Sequence, residues 1–165
     1  MIILVVLIIF IIVAGIILTL LKALKNTKND AERLPLKRKK LLSSAELNFY
    51  HVLKSIIPED REITCKCRLE DIAAVENCPE REAFRARIKS RHVDFVIYNP
   101  ENGYTDYAIE LDDRSHDTEK QKKADAFKDK VFETIGMPLI RIPAKRTYQI
   151  EEIRTIIETK INQVR

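Results

Sequence analysis

"HVDFVIYNPENGYTDYAIELD", residues 92 to 112, decides the fold. Its opening "HVDFVIY" and closing "YTDYAIELD" are rich in β-branched and aromatic residues, the composition of strands. Between them Pro100 and the Asn102-Gly103 pair supply a turn. The spacing predicts two strands joined as an antiparallel hairpin.

The flanking segments extend the pattern in both directions. Upstream, "EITCKCRLEDI" sets Ile63, Cys65, Cys67 and Leu69 against Glu62, Thr64, Lys66 and Arg68, the period of a half-buried strand. Before it, Leu42, Ala45, Phe49, Val52, Leu53, Ile56 and Ile57 recur at helical spacing. Ser43 or Ser44 caps that helix with Glu46 in its first turn, and Pro58 stops it. A short polar stretch is read as helical around Ala83 to Ile88. Downstream, Ala124, Phe127, Val131, Phe132 and Ile135 make one apolar stripe ended by Gly136. "MPLIRIPA" then forms a short apolar strand, and Ile150, Ile153, Ile156, Ile157, Ile161 and Val164 mark a last helix. A helix between the third and fourth strands makes those two parallel neighbours. The expectation is an α/β domain, a mixed sheet with helices on its faces. No internal repeat or glycine-rich phosphate loop is present, which argues against nucleotide-binding folds.

From Ile2 to Leu21 no residue is charged and only Thr19 is polar, enough apolar helix to cross a bilayer core. A cleaved signal peptide would show a charged start and a shorter apolar stretch. The expected organisation is therefore a transmembrane anchor over 1–21, a basic juxtamembrane linker over 22–40 and a domain over 41–165. Residues 22–40 hold eight basic and two acidic side chains, so the domain itself is slightly acidic, although the chain carries +4. That asymmetry predicts a single-pass protein of the cell membrane with its domain in the cytoplasm. The run "LPLKRKK" reads first as a tether held near anionic lipid headgroups, with a nucleic-acid arm or a solvated linker as the alternatives. Three cysteines, Cys65, Cys67 and Cys78, fit reduced thiols. Together with His92 they do not match a common zinc spacing.

The carboxylates carry the chemical expectation. Asp94 lies between Val93 and Phe95 in an apolar strand, where an ionised group costs several kcal/mol unless a partner or metal compensates it. Glu110 and Asp112, two apart on a strand, share one face. If the hairpin brings Asp94 alongside them, the three form a hard oxygen site for Mg²⁺ or Mn²⁺. Such an ion would polarise a phosphodiester, with His116 in the following loop assisting as acid or base. Arg85, Lys89 and Arg91, within the basic "REAFRARIKSRH", are candidate nucleic-acid contacts, and a solvated helix face is the equal alternative.

"LLSSAELNFYHVL", "HVDFVIY", "AIELDDRSHD" and "ADAFKDKVFETIGMPLIRI" together resemble the bacterial domain of unknown function DUF2726, over residues 41 to 143. The resemblance implies membership of the restriction-endonuclease-like PD-(D/E)XK superfamily, a three-layer core ordered helix, three strands, helix, strand. It implies Asp94 as the first acidic residue of the superfamily motif and Glu110 as the second. Asp112 stands where the motif has lysine, which opposes the usual charge. The aspartate would then be a further metal ligand, as in domains resembling the mismatch-repair nicking endonuclease, or Lys89, Arg91, Lys122 or Lys123 would supply the cation. Glu46 resembles the family's helix-borne glutamate and is equally a capping residue. The functional expectation is a membrane-anchored, Mg²⁺-dependent DNA endonuclease-like domain; the alternative is a catalytically inactive module that binds nucleic acid or protein on the same fold.

Overall fold

The structure, a computed structural model, describes residues 2–32, 34–112 and 118–164, without the side chains of 26–32 and Lys120. The chain divides into two compact units, Met1–Lys39 and Lys40–Arg165.

The first unit holds one helix, α1, Ile2–Glu32. Its stretch Ile2–Lys25 is long and apolar enough to span a membrane. At 1.5 Å per residue that stretch is ~36 Å long, against ~30 Å for a hydrocarbon core. The helix outruns the expected anchor because no glycine or proline interrupts residues 22–32. It ends before Pro35, which holds its predecessor away from helical geometry.

The second unit runs α2 (Ser44–Ile56), β1 (Glu62–Arg68), α3 (Leu69–Ile72), α4 (Arg81–Lys89), β2 (His92–Tyr98), β3 (Thr105–Asp112), α5 (Glu119–Thr134), β4 (Leu139–Pro143) and α6 (Ile150–Val164). Its four strands form one mixed sheet in the order β1-β2-β3-β4. The first two neighbouring pairs are antiparallel and β3 and β4 are parallel. The expected hairpin is there, closed by a loop in which Gly103 takes φ 76 and its N–H donates to the Asn99 carbonyl. The Asn99 and Asn102 side chains accept from the Glu101 and Tyr104 N–H groups, so most of the turn's polar backbone is satisfied locally.

Two apolar clusters lie on the sheet's two faces. Phe49, Leu53, Ile56, Ile153 and Ile157 from α2 and α6 pack against Phe95, Ile97, Tyr107, Ile109, Ile140 and Ile142. On the other face Phe132 of α5, Ile88 of α4 and Leu69 of α3 meet Val93, Val96 and Ala108. Each fully buried Ile, Leu or Phe contributes roughly 1.5–3 kcal/mol through apolar burial. Leu69 begins the single turn α3 rather than continuing the strand, which shortens the strand expected from "EITCKCRLEDI".

One alternation is reversed. Ile63 and Cys65 pack against the α2/α6 cluster, whereas Cys67 and Leu69 belong with the α4/α5 cluster. Between the two cysteines Lys66 adopts φ 57, left-handed for a residue with a Cβ. Opposite it Val93 and Phe95 also pack in different clusters, although the β1–β2 register does not slip. The change of face is therefore local to the rung that holds Lys66 and Asp94, and it places Cys65 and Cys67 on opposite sides of the sheet.

Candidate functional site

The sheet register builds a charged row across all four strands. Lys66 and Asp94 fall between the pairs Cys65↔Phe95 and Cys67↔Val93. Glu110 follows Ile109, whose partner is Phe95, and Glu110 is itself in register with Arg141 of β4. Lys66, Asp94, Glu110 and Arg141 thus form one rung in which two carboxylates are flanked by two cations.

Each carboxylate of the rung is held. The Lys66 ammonium donates to Asp94 Oδ1 at 2.7 Å and to Glu46 Oε1 at 2.5 Å, joining α2 to the sheet. Asp94 Oδ2 accepts the Leu111 N–H at 3.0 Å. The last register pair of β2 and β3 is Phe95↔Ile109, so a side chain takes over where the ladder ends. Glu110, 8% exposed, accepts from the Lys128 ammonium of α5 and has Arg141 Nη1 at 3.5 Å. Arg141 also reaches Asp112 at 3.3 Å and Asp129 at 2.9 Å.

Position explains these partners. Lys128 lies one turn before Val131 and Phe132, which belong with the α4/α5 cluster, so α5 sets its ammonium over the Glu110 face. Glu46 does two jobs at the start of α2. Its Oε2 accepts the Ser43 N–H while Ser43 Oγ accepts the Glu46 N–H, a complete capping box, and its other oxygen faces Lys66.

The surroundings tune these groups in opposite directions. Burial raises the Glu110 carboxyl above its ordinary 4.5, and the Lys128 charge and hydrogen bond only partly oppose this. The Asp94 charge pushes Glu110 the same way as burial, which places the two carboxylates within electrostatic reach. At Glu46 burial also resists ionisation, but hydrogen bonds from Lys66 and Ser43 outweigh it, and the carboxyl lies below 4.5. Burial works against the Lys66 charge, yet its bonds to Asp94 and Glu46 hold the ammonium above its ordinary value.

Of the residues marked out in the sequence, Asp94 and Glu110 are brought together and Asp112 lies two residues along β3, beside Arg141. His116 falls outside the described residues. Among the described residues no three His, Cys, Asp or Glu side chains converge as a ready metal cage. Mg²⁺ asks less, since it is commonly held by one or two carboxylates with water and substrate oxygens completing the octahedron. Asp94 and Glu110 fit that narrower donor set, and with Glu46 and Asp112 they outnumber Lys66, Lys128 and Arg141, leaving the cluster net negative.

The expected basic contacts are mixed. Arg85 is tied to Glu70 at 3.2 Å and Glu82 at 3.4 Å, while Lys89 is exposed at the end of α4. Arg91 and Arg87 both lie over the Phe127 ring, at 4.8 and 3.8 Å. Lys66, Lys128 and Arg141, the cations that meet the carboxylates, were not singled out as site residues. For Lys128 the signal was its place three residues before Val131 on the apolar stripe of α5, and for Arg141 its place opposite Glu110 in a parallel pair.

Residues 38–161 match the family model described as "Protein of unknown function (DUF2726)". The chain belongs to the DUF2726 family. No curated protein and no solved structure matches it. The DUF2726 match begins within the basic segment and runs into α6, so it covers every strand and the whole charged rung.

Proposed function

We propose that the DUF2726 domain is a Mg²⁺-dependent phosphodiesterase of the restriction-endonuclease-like class, acting on DNA and held by α1 at the cytoplasmic face of a membrane. The observation that carries this reading is the pairing of Asp94 and Glu110 on adjoining strands at the point where the β2–β3 ladder ends. The element order from α2 to β4, with its parallel β3–β4 pair, supports it, since that is the order of the superfamily core once α3 and α4 are set aside.

In this reading Asp94 and Glu110 would hold the ion, whose chemistry is to polarise the phosphodiester and lower the pKa of a bound water. Glu46 stands beside them on α2 as a third acidic group. Lys128 supplies positive charge next to Glu110, the service the superfamily motif assigns to the lysine two residues downstream, where this chain has Asp112. Lys66 holds Asp94 and Glu46 in place and can offer its ammonium to a phosphate oxygen. Asp112, bound by Arg141, is the group most easily released toward solvent, being 39% exposed.

The test is strand cleavage by the full chain in detergent, on plasmid and single-stranded DNA, with Mg²⁺, Mn²⁺ or EDTA. Nicking that needs the metal and disappears in Glu110→Ala and Asp94→Asn supports the assignment; nicking that persists in both variants overturns it.

A second reading has its own observation. Every carboxylate of the rung is already neutralised by a cation of the chain, as expected of a module that binds without cleaving. DNA or protein binding that is unchanged by Glu110→Ala and accompanied by no cleavage under any metal condition would favour it.

A further inference from the structure

Just beyond α1 the chain forms a small apolar and basic device that the charged rung does not use. The Leu36 N–H donates to the Leu34 carbonyl at 2.8 Å, closing a three-residue turn around Pro35. Leu34 and Leu36 are exposed at 70% and 80%, and Lys37, Arg38 and Lys39 follow them, all exposed. Two bare leucines held in a tight turn leave apolar surface that gains by being covered. Their position in the chain says what can cover them. The membrane-length stretch of α1 ends at Lys25 and the helix continues to Glu32, which adds ~10 Å at 1.5 Å per residue. Leu34 follows the membrane-length stretch by only nine residues, which keeps the turn within reach of the leaflet surface that stretch leaves.

We propose that Leu34 to Lys39 is a docking element for an anionic bilayer, in which the chain turns back so that Leu34 and Leu36 enter the headgroup–acyl boundary and Lys37, Arg38 and Lys39 lie against acidic headgroups. Charge complementarity selects the partner. Residues 22–40 are strongly basic while the rest of the chain carries net negative charge, so an anionic surface attracts the segment and not the domain behind it. Proteins that bind acidic lipid in this way combine a short apolar insertion with a polybasic run, and both are present here within six residues. The inference is independent of any phosphodiesterase activity.

The chain contains no tryptophan, so Leu36→Trp supplies a single reporter. The full chain carrying it is reconstituted into phosphatidylcholine vesicles with and without phosphatidylserine, some lipid bearing brominated acyl chains. Emission should shift to the blue and be quenched by the bromines when phosphatidylserine is present. Both effects should be lost in high salt and in the variant that also carries Lys37→Glu, Arg38→Glu and Lys39→Glu. Resistance to carbonate extraction checks that α1 is inserted in every sample. Water-like, unquenched emission in both compositions overturns the proposal, as does quenching that ignores phosphatidylserine and charge reversal. A shift produced by duplex DNA on phosphatidylcholine vesicles, but not by phosphatidylserine, overturns it in favour of a nucleic-acid arm.

Discussion

Lys66 is placed in a conformation that a lysine adopts at a cost, and its two carboxylate partners hold it there. A left-handed residue with a Cβ is strained by about 1–2 kcal/mol, and here φ is 57 in the middle of β1. Replacing it by glycine removes both strain and ammonium; replacing it by alanine removes the ammonium alone. Lys66→Gly should therefore be about 0.5–1 kcal/mol more stable than Lys66→Ala in urea unfolding, after allowing for the looser unfolded chain of glycine. The opposite order would mean that β1 is regular at this position. Nothing in "TCKCR" announced this, because left-handed positions are read from glycine and asparagine and this one is lysine.

The acid limb of stability belongs to the same residues. Glu46 has a carboxyl below its ordinary 4.5 in the folded chain, so its contribution is complete above that value and fades as pH falls through the lower folded value. Glu110 runs the other way: its raised carboxyl makes ionisation a cost that grows as pH climbs through 4.5 and levels off above the folded value. The stability gap between the native chain and Glu46→Gln should consequently be present at neutral pH and close in acid. Urea midpoints measured across that range decide it; a gap independent of pH would remove the Glu46–Lys66 pair from the account. Asp94 and Glu110 were visible in the sequence as acidic residues in apolar strands, whereas Lys66 and Arg141 were not, since no local period reports what sits opposite on another strand. The period of α5 places Lys128 beside its apolar stripe without saying which strand that stripe meets.

Among the elements, α2 has the clearest written signal. Ser43 and Glu46 form the box that a serine followed three residues later by glutamate encodes. Ser43→Ala should cost about 1 kcal/mol, read as a lower urea midpoint, with a further loss if Glu46 then turns away from Lys66. Gly136 is equally legible: it follows α5 at φ 64, and the Met137 N–H behind it donates to the Phe132 carbonyl. Gly136→Ala should destabilise by about 1 kcal/mol through the left-handed penalty alone, because a Cβ there would meet no neighbour within 4 Å. The hairpin was legible for the same local reason, its turn residues being where the two strands required them. The turn α3 was not, because "LEDI" is too short for a period and looks like more of β1.

At the scale of the molecule, both apolar clusters and the charged rung lie within Lys40–Arg165. Removing residues 1–39 should leave the melting temperature within about 2 °C, corresponding to less than about 0.5 kcal/mol, while transferring the protein from the pellet to the supernatant on ultracentrifugation. A truncated chain that unfolds would show that the second unit needs the first. The order of the elements was legible almost completely, because a four-stranded sheet with neighbours in sequence order asks only for local periods and one crossover.

That crossover orders events in time. β2 and β3 pair across the short turn between Tyr98 and Thr105, whereas β1 joins them only across α3 and α4, and β4 only across α5. Short loops close before long ones, so the β2–β3 hairpin precedes the docking of α5, and Glu110 stays hydrated until Lys128 arrives with that helix. Pulse-labelled amide exchange during refolding should find β2 and β3 protected ahead of β1 and β4. Glu110 is then among the last groups of the sheet to lose its water, and α5 is the piece whose arrival dries it.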